Sequence, residues 1–244
     1  KENKINYITF CVCTVWLATF HYLTYDRFGY YVDEIGSMYD AYCIANFGVD
    51  RWLQSYPVHF LNYGDGQGSI LTYILAGLFK ILGYEKWVIR LVPTIFHIST
   101  VFFIGKWLGL YDKKAEKYGY IMATILPIFY MLFQFGLESH FMITFCAGFL
   151  YFMCRAVTTK KISDYFMAGI FAGLSFYSYA LSYIAVPVFI VLFIGHLWIK
   201  KKIDVKKVLV FMAPVVFMGI PLLVVQLINI FDLETLVIGR ITFP

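Results

Sequence analysis

Charge is what this sequence has least of. Only 14% of its 244 residues are Asp, Glu, Lys or Arg, against about 25% in an ordinary soluble domain. That shortage excludes an ordinary solvated surface. With 61% hydrophobic residues and a mean hydropathy of +0.72, the composition is that of a chain built for a bilayer. Also missing is a basic stripe interleaved with aromatics on a polar background, so the net charge of +5 does not point to nucleic acid. The five cysteines, Cys11, Cys13, Cys43, Cys146 and Cys154, show no metal-ligand spacing. Most lie inside apolar runs, where a thiol behaves as a small hydrophobe, and no disulfide framework is expected. There is no Gly-Lys-Ser/Thr phosphate loop and no HExxH or HxH pair. The first apolar run lacks a small-residue cleavage site, so it reads as a span and not as a signal peptide.

What is present is a series of apolar runs near the ~20 residues a helix needs to cross a membrane. They cover Ile5–Tyr25, Val88–Leu110, Tyr118–Phe135, Phe141–Val157, Tyr165–Tyr179, Ile184–Ile199 and Val208–Phe231. The expected architecture is an all-α, polytopic transmembrane bundle of about seven spans, residues 1–244 forming one module with no soluble domain. An eighth run, Ser69–Gly83, is short and carries Lys80. The lysine-rich gaps decide its path. Asp112–Lys117, Thr158–Asp164, Lys200–Lys207 and the N-terminal KENK collect the basic residues that mark short cytoplasmic loops. With all four inside, the inner surface holds 14 of 20 basic and 5 of 15 acidic residues, +9, and the outer surface is −4. Ser69–Gly83 then cannot cross. It is expected to lie in the interface or re-enter, within an extracytoplasmic loop 26–87. The chain stops at Pro244 soon after the last span, which reads as the opening of another outer loop of a longer protein.

The candidate residues gather on that outer surface. Asp33, Ser37 and Asp40 share a helical face, with Ile35, Met38, Tyr39 and Tyr42 opposite, so Asp33–Phe47 is expected to form an amphipathic interfacial helix with Asp33 as N-cap. A plain solvated face accounts for the same pattern. Tyr63-Gly64-Asp65-Gly66-Gln67-Gly68 packs three glycines before an apolar helix and allows close backbone approach to a ligand. Glu138 is a carboxylate at the bilayer edge, where acids are costly and often functional, although an acid simply exposed to water fits too. Arg90 either snorkels to headgroups or grips a lipid phosphate. His59 is a weaker candidate, since a lone histidine is more often neither ligand nor base. The run Tyr177–Tyr183 fits an aromatic belt or a sugar-stacking turn.

Taken in order, the Asp33–Glu34 pair after the first span, the amphipathic helix, the YG-x-GQ turn, the apolar segment ending in Leu82-Gly83 and the V-I-R-L of the second long span resemble one family. It is the GT-C type of membrane glycosyltransferase, in the branch holding protein O-mannosyltransferases and lipid A aminoarabinose transferases. The resemblance implies an enzyme that moves a sugar, with inversion, from a polyprenyl-phosphate carrier to a hydroxyl of an acceptor protein or glycolipid outside the cytoplasm. A bacterial plasma membrane is its expected location. It implies Asp33 as general base with Glu34 beside it and Glu138 joining the site. Arg90 matches the basic residues that hold the carrier phosphate in that family. Gln67, Asp65 and His59 are the remaining expected substrate contacts. A divalent metal is compatible with the resemblance, but the Glu-Lys-Pro that the aminoarabinose branch carries before the apolar segment is Gly66-Gln67-Gly68 here, and no metal ligand is assigned. A transporter or flippase is the competing class. It would place ionisable groups near mid-membrane, where this sequence has few. A non-catalytic membrane protein is the third reading.

Overall fold

The computed structural model describes residues 2–62 and 65–244, with the side chain of Asp65 also outside the described residues. Ten helices in chain order dominate it: α1 Glu2–Thr24, α2 Val32–Phe47, α3 Ile70–Leu82, α4 Lys86–Leu108, α5 Ala115–Ile125, α6 Pro127–Leu132, α7 Glu138–Thr159, α8 Ile162–Phe176, α9 Ser182–Ile199 and α10 Val205–Ile230. Two small antiparallel hairpins, not anticipated from the sequence, join them. β1 Phe60–Asn62 pairs with β2 Asp65–Gln67, and β3 Leu236–Ile238 with β4 Ile241–Phe243.

Five helices, α1, α4, α7, α9 and α10, are long and apolar enough to cross a membrane. The other two expected spans take different forms. The run Tyr118–Phe135 breaks into α5 and α6 at Pro127, which has no N–H to continue the ladder and holds Leu126 in an extended conformation. The run Tyr165–Tyr179 becomes α8, 15 residues long. Both still link the two ends of the bundle. Asn6 near the start of α1 donates to the Lys113 carbonyl just before α5 (2.9 Å), while Gly136 after α6 reaches Glu34 on α2. Arg155 pairs with Asp164 at the foot of α8, while Tyr177 just after it meets Ser69.

The helices pack as their small and polar residues dictate. Between membrane helices, close van der Waals fit and interhelical hydrogen bonds replace the hydrophobic drive. α1 lies antiparallel to α4, joined by His21 and His97 (3.1 Å) and by the Lys86–Asp26 ion pair (2.6 Å) at the mouth. His21 and His97 are buried inside this pair, so the bundle interior is less free of ionisable groups than the sequence suggests. α4 and α7 run side by side, with Thr100 bonded to Thr144 (2.7 Å) and Phe96 stacked on Phe141 (4.1 Å). α8 seats against α10 at Gly169, where a Cβ would run into the Phe211 carbonyl.

α3 does not traverse the bundle. It starts beside Tyr177 and ends just before Lys86, whose partner Asp26 follows α1, so both its ends lie at one end of the fold. Leu71, Leu75, Ala76 and Phe79 bury its inner side against α2, α4 and α7. The buried side of α2 carries Glu34, Ser37 and Asp40 together with Met38, Ala41 and Ile44, while Ile35, Tyr39 and Tyr42 are exposed, so Met38, expected opposite the polar face, packs inward with it. Its start corrects an expectation: the helix begins at Val32 with Tyr31 as cap, and Glu34, not Asp33, accepts the Tyr31 N–H (3.3 Å). The segments at this end are the loop 26–87, the turn around 134–138, the turn after α8 and the β3–β4 hairpin, whose Thr242 bonds Ser55 and Val58.

Candidate active site

The first three of these segments line a cavity of about 600 Å³. Asp33, His59, Gln67, Gly68, Glu138 and Ser178 stand on its wall. Each is held by local structure. Asp33 sits in the first turn of α2 with its side chain exposed to the cavity. Gln67 ends β2 and donates from Nε2 to the Asp33 carbonyl (3.1 Å) and to the Ser37 hydroxyl, tying the hairpin to α2. His59 precedes β1 and packs over Gly66, where a Cβ would occupy the space of its ring. Glu138 is the first residue of α7 and is 7% exposed.

Glu138 is the carboxylate most enclosed by the cavity. The Gly68 N–H hydrogen-bonds it, and the charges of Asp33 and Asp40 act on it. Among the described residues its Oε1 has no hydrogen-bond partner, an expensive state for a buried acceptor unless a ligand or solvent meets it. Gly68 makes this closeness feasible. A Cβ there would lie 2.5 Å from the Tyr177 carbonyl oxygen, 2.7 Å from Glu138 Oε2 and 3.0 Å from the Ser178 carbonyl. Gly68→Ala is therefore expected to displace the Glu138 carboxylate and to destabilise the chain by about 1–3 kcal/mol, as overpacking does. Thermal unfolding in detergent measures it, and an unchanged midpoint would mean the cavity wall yields freely.

Next to Gly68, the Ser69 N–H donates to the Tyr177 carbonyl (3.1 Å), and this seam closes the cavity on one side. Behind it lies a second cavity of about 750 Å³ with a nearly wholly apolar lining, including Tyr73, Phe96, Phe145, Leu174, Met218 and Pro221. Ser69 and Tyr177 border the apolar cavity, and Gly68 and Ser178 border the acidic one.

Two expected site residues stand elsewhere. Glu34 is fully buried and ion-paired with Arg90, itself 4% exposed. Glu34 also accepts the Gly136 N–H (2.7 Å), and Arg90 also donates to the Gly29 carbonyl (3.0 Å). Together they stitch α2, α4 and the turn before α7. Neither borders the acidic cavity, so Glu34 is not placed to touch substrate and Arg90 is not placed to grip a phosphate there. The residue that the sequence reading passed over is Arg51. It clamps the buried Asp40 with two hydrogen bonds (2.9 and 2.7 Å) and lies 3.4 Å from Asn62 Oδ1 on the cavity wall. Gly36 admits it, since a Cβ there would stand 2.8 Å from Arg51 Nη2. Its signal in the sequence was its place among the few basic residues away from the lysine-rich gaps. At the same end of the bundle, Lys86 holds the Asp26 carboxyl below its ordinary range. Among the described residues, no three His, Cys, Asp or Glu side chains gather as a metal cluster.

A sequence model of the family described as dolichyl-phosphate-mannose-protein mannosyltransferase matches residues 68–224, more than half of the chain. The chain belongs to that family. It is thus a membrane glycosyltransferase relative of the GT-C type, in agreement with the resemblance read from the motifs. The match begins at Gly68 and takes in Arg90, Glu138 and the helices from α3 well into α10, but not Asp33 or Gln67. No curated protein and no solved structure matches the chain.

Proposed function

We infer that the mannosyltransferase-family chain transfers a sugar from a polyprenyl-phosphate carrier to an acceptor hydroxyl, with inversion, at the acidic end of the bundle and outside the cytoplasm. The observation that carries this reading is the pairing of a polar acidic cavity with an apolar one across the Ser69–Tyr177 seam. A lipid-linked sugar has the same two halves, a greasy tail and a polar head. The apolar cavity suits the isoprenoid segment nearest the phosphate, and the acidic cavity suits sugar and acceptor.

In the proposed step Asp33 takes the proton of the acceptor hydroxyl as its oxygen attacks the anomeric carbon. The bond from that carbon to the carrier phosphate breaks, and the electron pair leaves with the phosphate. Glu138, with its unpartnered oxygen, accepts a hydrogen bond from a sugar or acceptor hydroxyl. Gln67 fixes the start of α2 and so the position of Asp33. His59, just before the β1–β2 hairpin, shapes the sugar end. Arg51 does not border the cavity either, but its guanidinium reaches Asn62 on the wall (3.4 Å) while it pairs with Asp40, so it is the cation proposed to act on the departing phosphate through that wall.

Donor class tests the reading. Chain reconstituted in liposomes is expected to transfer mannose from a polyprenyl-phosphate donor and not from a nucleotide sugar, giving a product of opposite anomeric configuration. Transfer from the nucleotide sugar alone, or retention of configuration, would rule the mechanism out.

A further inference from the structure

The opposite end of the bundle holds a pocket that the transfer chemistry leaves unused. It has a volume of about 430 Å³ and is lined by Val157, Thr158, Lys160, Lys201, Lys202, Ile203, Asp204 and Lys207. Four of these are lysines and one is an acid, so the wall carries a formal +3. The lysines come from separate segments: Lys160 closes α7, Lys201 and Lys202 follow α9, and Lys207 lies in the first turn of α10. Asp204 is already committed, because its carboxylate caps α10 at the Lys207 N–H (3.0 Å) and pairs with Lys207 Nζ (2.6 Å). This end is far from the acidic cavity, since α7 runs 22 residues from Glu138 to Thr159, about 33 Å of helix.

Two features set this pocket apart from lysines that merely mark one side of a membrane. Lys160 and Lys201 both stand in left-handed backbone, at φ 58° and 53°. That conformation favours glycine, and a side chain there carries a conformational cost. Two turns therefore keep a lysine where glycine would be easier. The second feature is the skirt below the pocket. Trp198, Ile199, Val205 and Leu209, at the adjoining ends of α9 and α10, are large apolar side chains exposed on the outside of the bundle. A cationic cup opening onto a greasy surface matches a molecule with an anionic head and acyl chains.

We propose that this lysine pocket binds a phosphate anion, and that the phosphate is the headgroup of an anionic phospholipid. The ammonium groups of Lys160, Lys201 and Lys202 ring the phosphate, while the acyl chains run down the exposed faces of α9 and α10. The site is independent of the sugar-transfer reading and holds whether or not that reading does.

Native mass spectrometry of the purified chain, supplied with phosphatidylglycerol or phosphatidylcholine, tests it. The wild type is expected to retain phosphatidylglycerol selectively. Lys160→Gln/Lys201→Gln/Lys202→Gln should bind it roughly tenfold to a hundredfold more weakly, from the attraction each lysine exerts on an anionic lipid. A control of equal charge change at the same end, Lys4→Gln/Lys114→Gln/Lys117→Gln, should bind as the wild type does. Equal loss in both triple variants, or loss in neither, overturns the pocket and leaves only general attraction to the surface. Lys160→Gly/Lys201→Gly relaxes both turns while deleting the side chains, so it guards against misfolding. It should lose the lipid without losing thermal stability, and undiminished binding in it overturns the proposal as well. Inorganic phosphate is the last arm. Lysine-dependent binding of phosphate without any preference for phosphatidylglycerol keeps the anion pocket and assigns its ligand to water; selective lipid binding assigns it to the bilayer.

Discussion

An Asp33→Asn chain is expected to transfer sugar about 10²- to 10⁴-fold more slowly than the wild type, the range a positioned general base contributes. The side chain is exposed on the wall of the acidic cavity. Asn keeps its shape but cannot take a proton. The fold should survive. The bond from Gln67 reaches the Asp33 main-chain carbonyl, not the carboxylate, and it persists in the variant. The expected signature is a fall in kcat with little change in KM for the donor. Unchanged melting in detergent would show that chemistry alone was lost. Wild-type transfer by Asp33→Asn removes the general base and sinks the proposed mechanism.

The neighbouring acid is expected to behave in the opposite way. Arg90→Ala or Glu34→Ala should destabilise the chain by about 3–5 kcal/mol, because each strands a charge in the packed interior. The pair is buried on both sides. Glu34 further holds Gly136 and Tyr31, and Arg90 holds the Gly29 carbonyl, so one deletion loosens the contacts between α2, α4 and the segment leading into Glu138. Arg90→Lys should rescue little, since one ammonium cannot reproduce the spread of donors on a guanidinium. The joint replacement Glu34→Gln/Arg90→Met should recover part of the loss, because neither charge is then left alone. Unfolding in detergent measures these effects. Full stability in Arg90→Ala, with KM for the donor raised and kcat kept, would return Arg90 to the phosphate role that the geometry denies it.

The contrast between Asp33 and Glu34 shows where a linear reading stops. Adjacent residues on a helix point about 100° apart. Which of the two acids faces the cavity depends on where α2 starts and how it is rotated. The sequence suggested a start at Asp33, and the helix begins at Val32. The partner that fixes the rotation, Arg90, is 56 residues away, a distance no local pattern reports. Arg51 was missed for the same reason, because its target Asp40 becomes apparent only once the loop folds back on α2. What was legible came from bulk properties. Apolar runs located the long helices, and the lysine-rich gaps implied that Ser69–Gly83 does not cross. That account brought Asp33 and Glu138 to one end of the bundle, as the cavity has them. The break at Pro127 and the shortness of α8 were hidden because the flanking residues stay apolar throughout.

The seam between the two cavities is main chain bonded to main chain, Ser69 to Tyr177. A partition built this way is indifferent to most side-chain changes. The oily room can be repainted for a longer or shorter lipid, and the watery room for another sugar, with the wall between them untouched. The Ser69 and Ile70 N–H groups both reach that one carbonyl, so a change such as Ser69→Pro removes one of the two bonds directly.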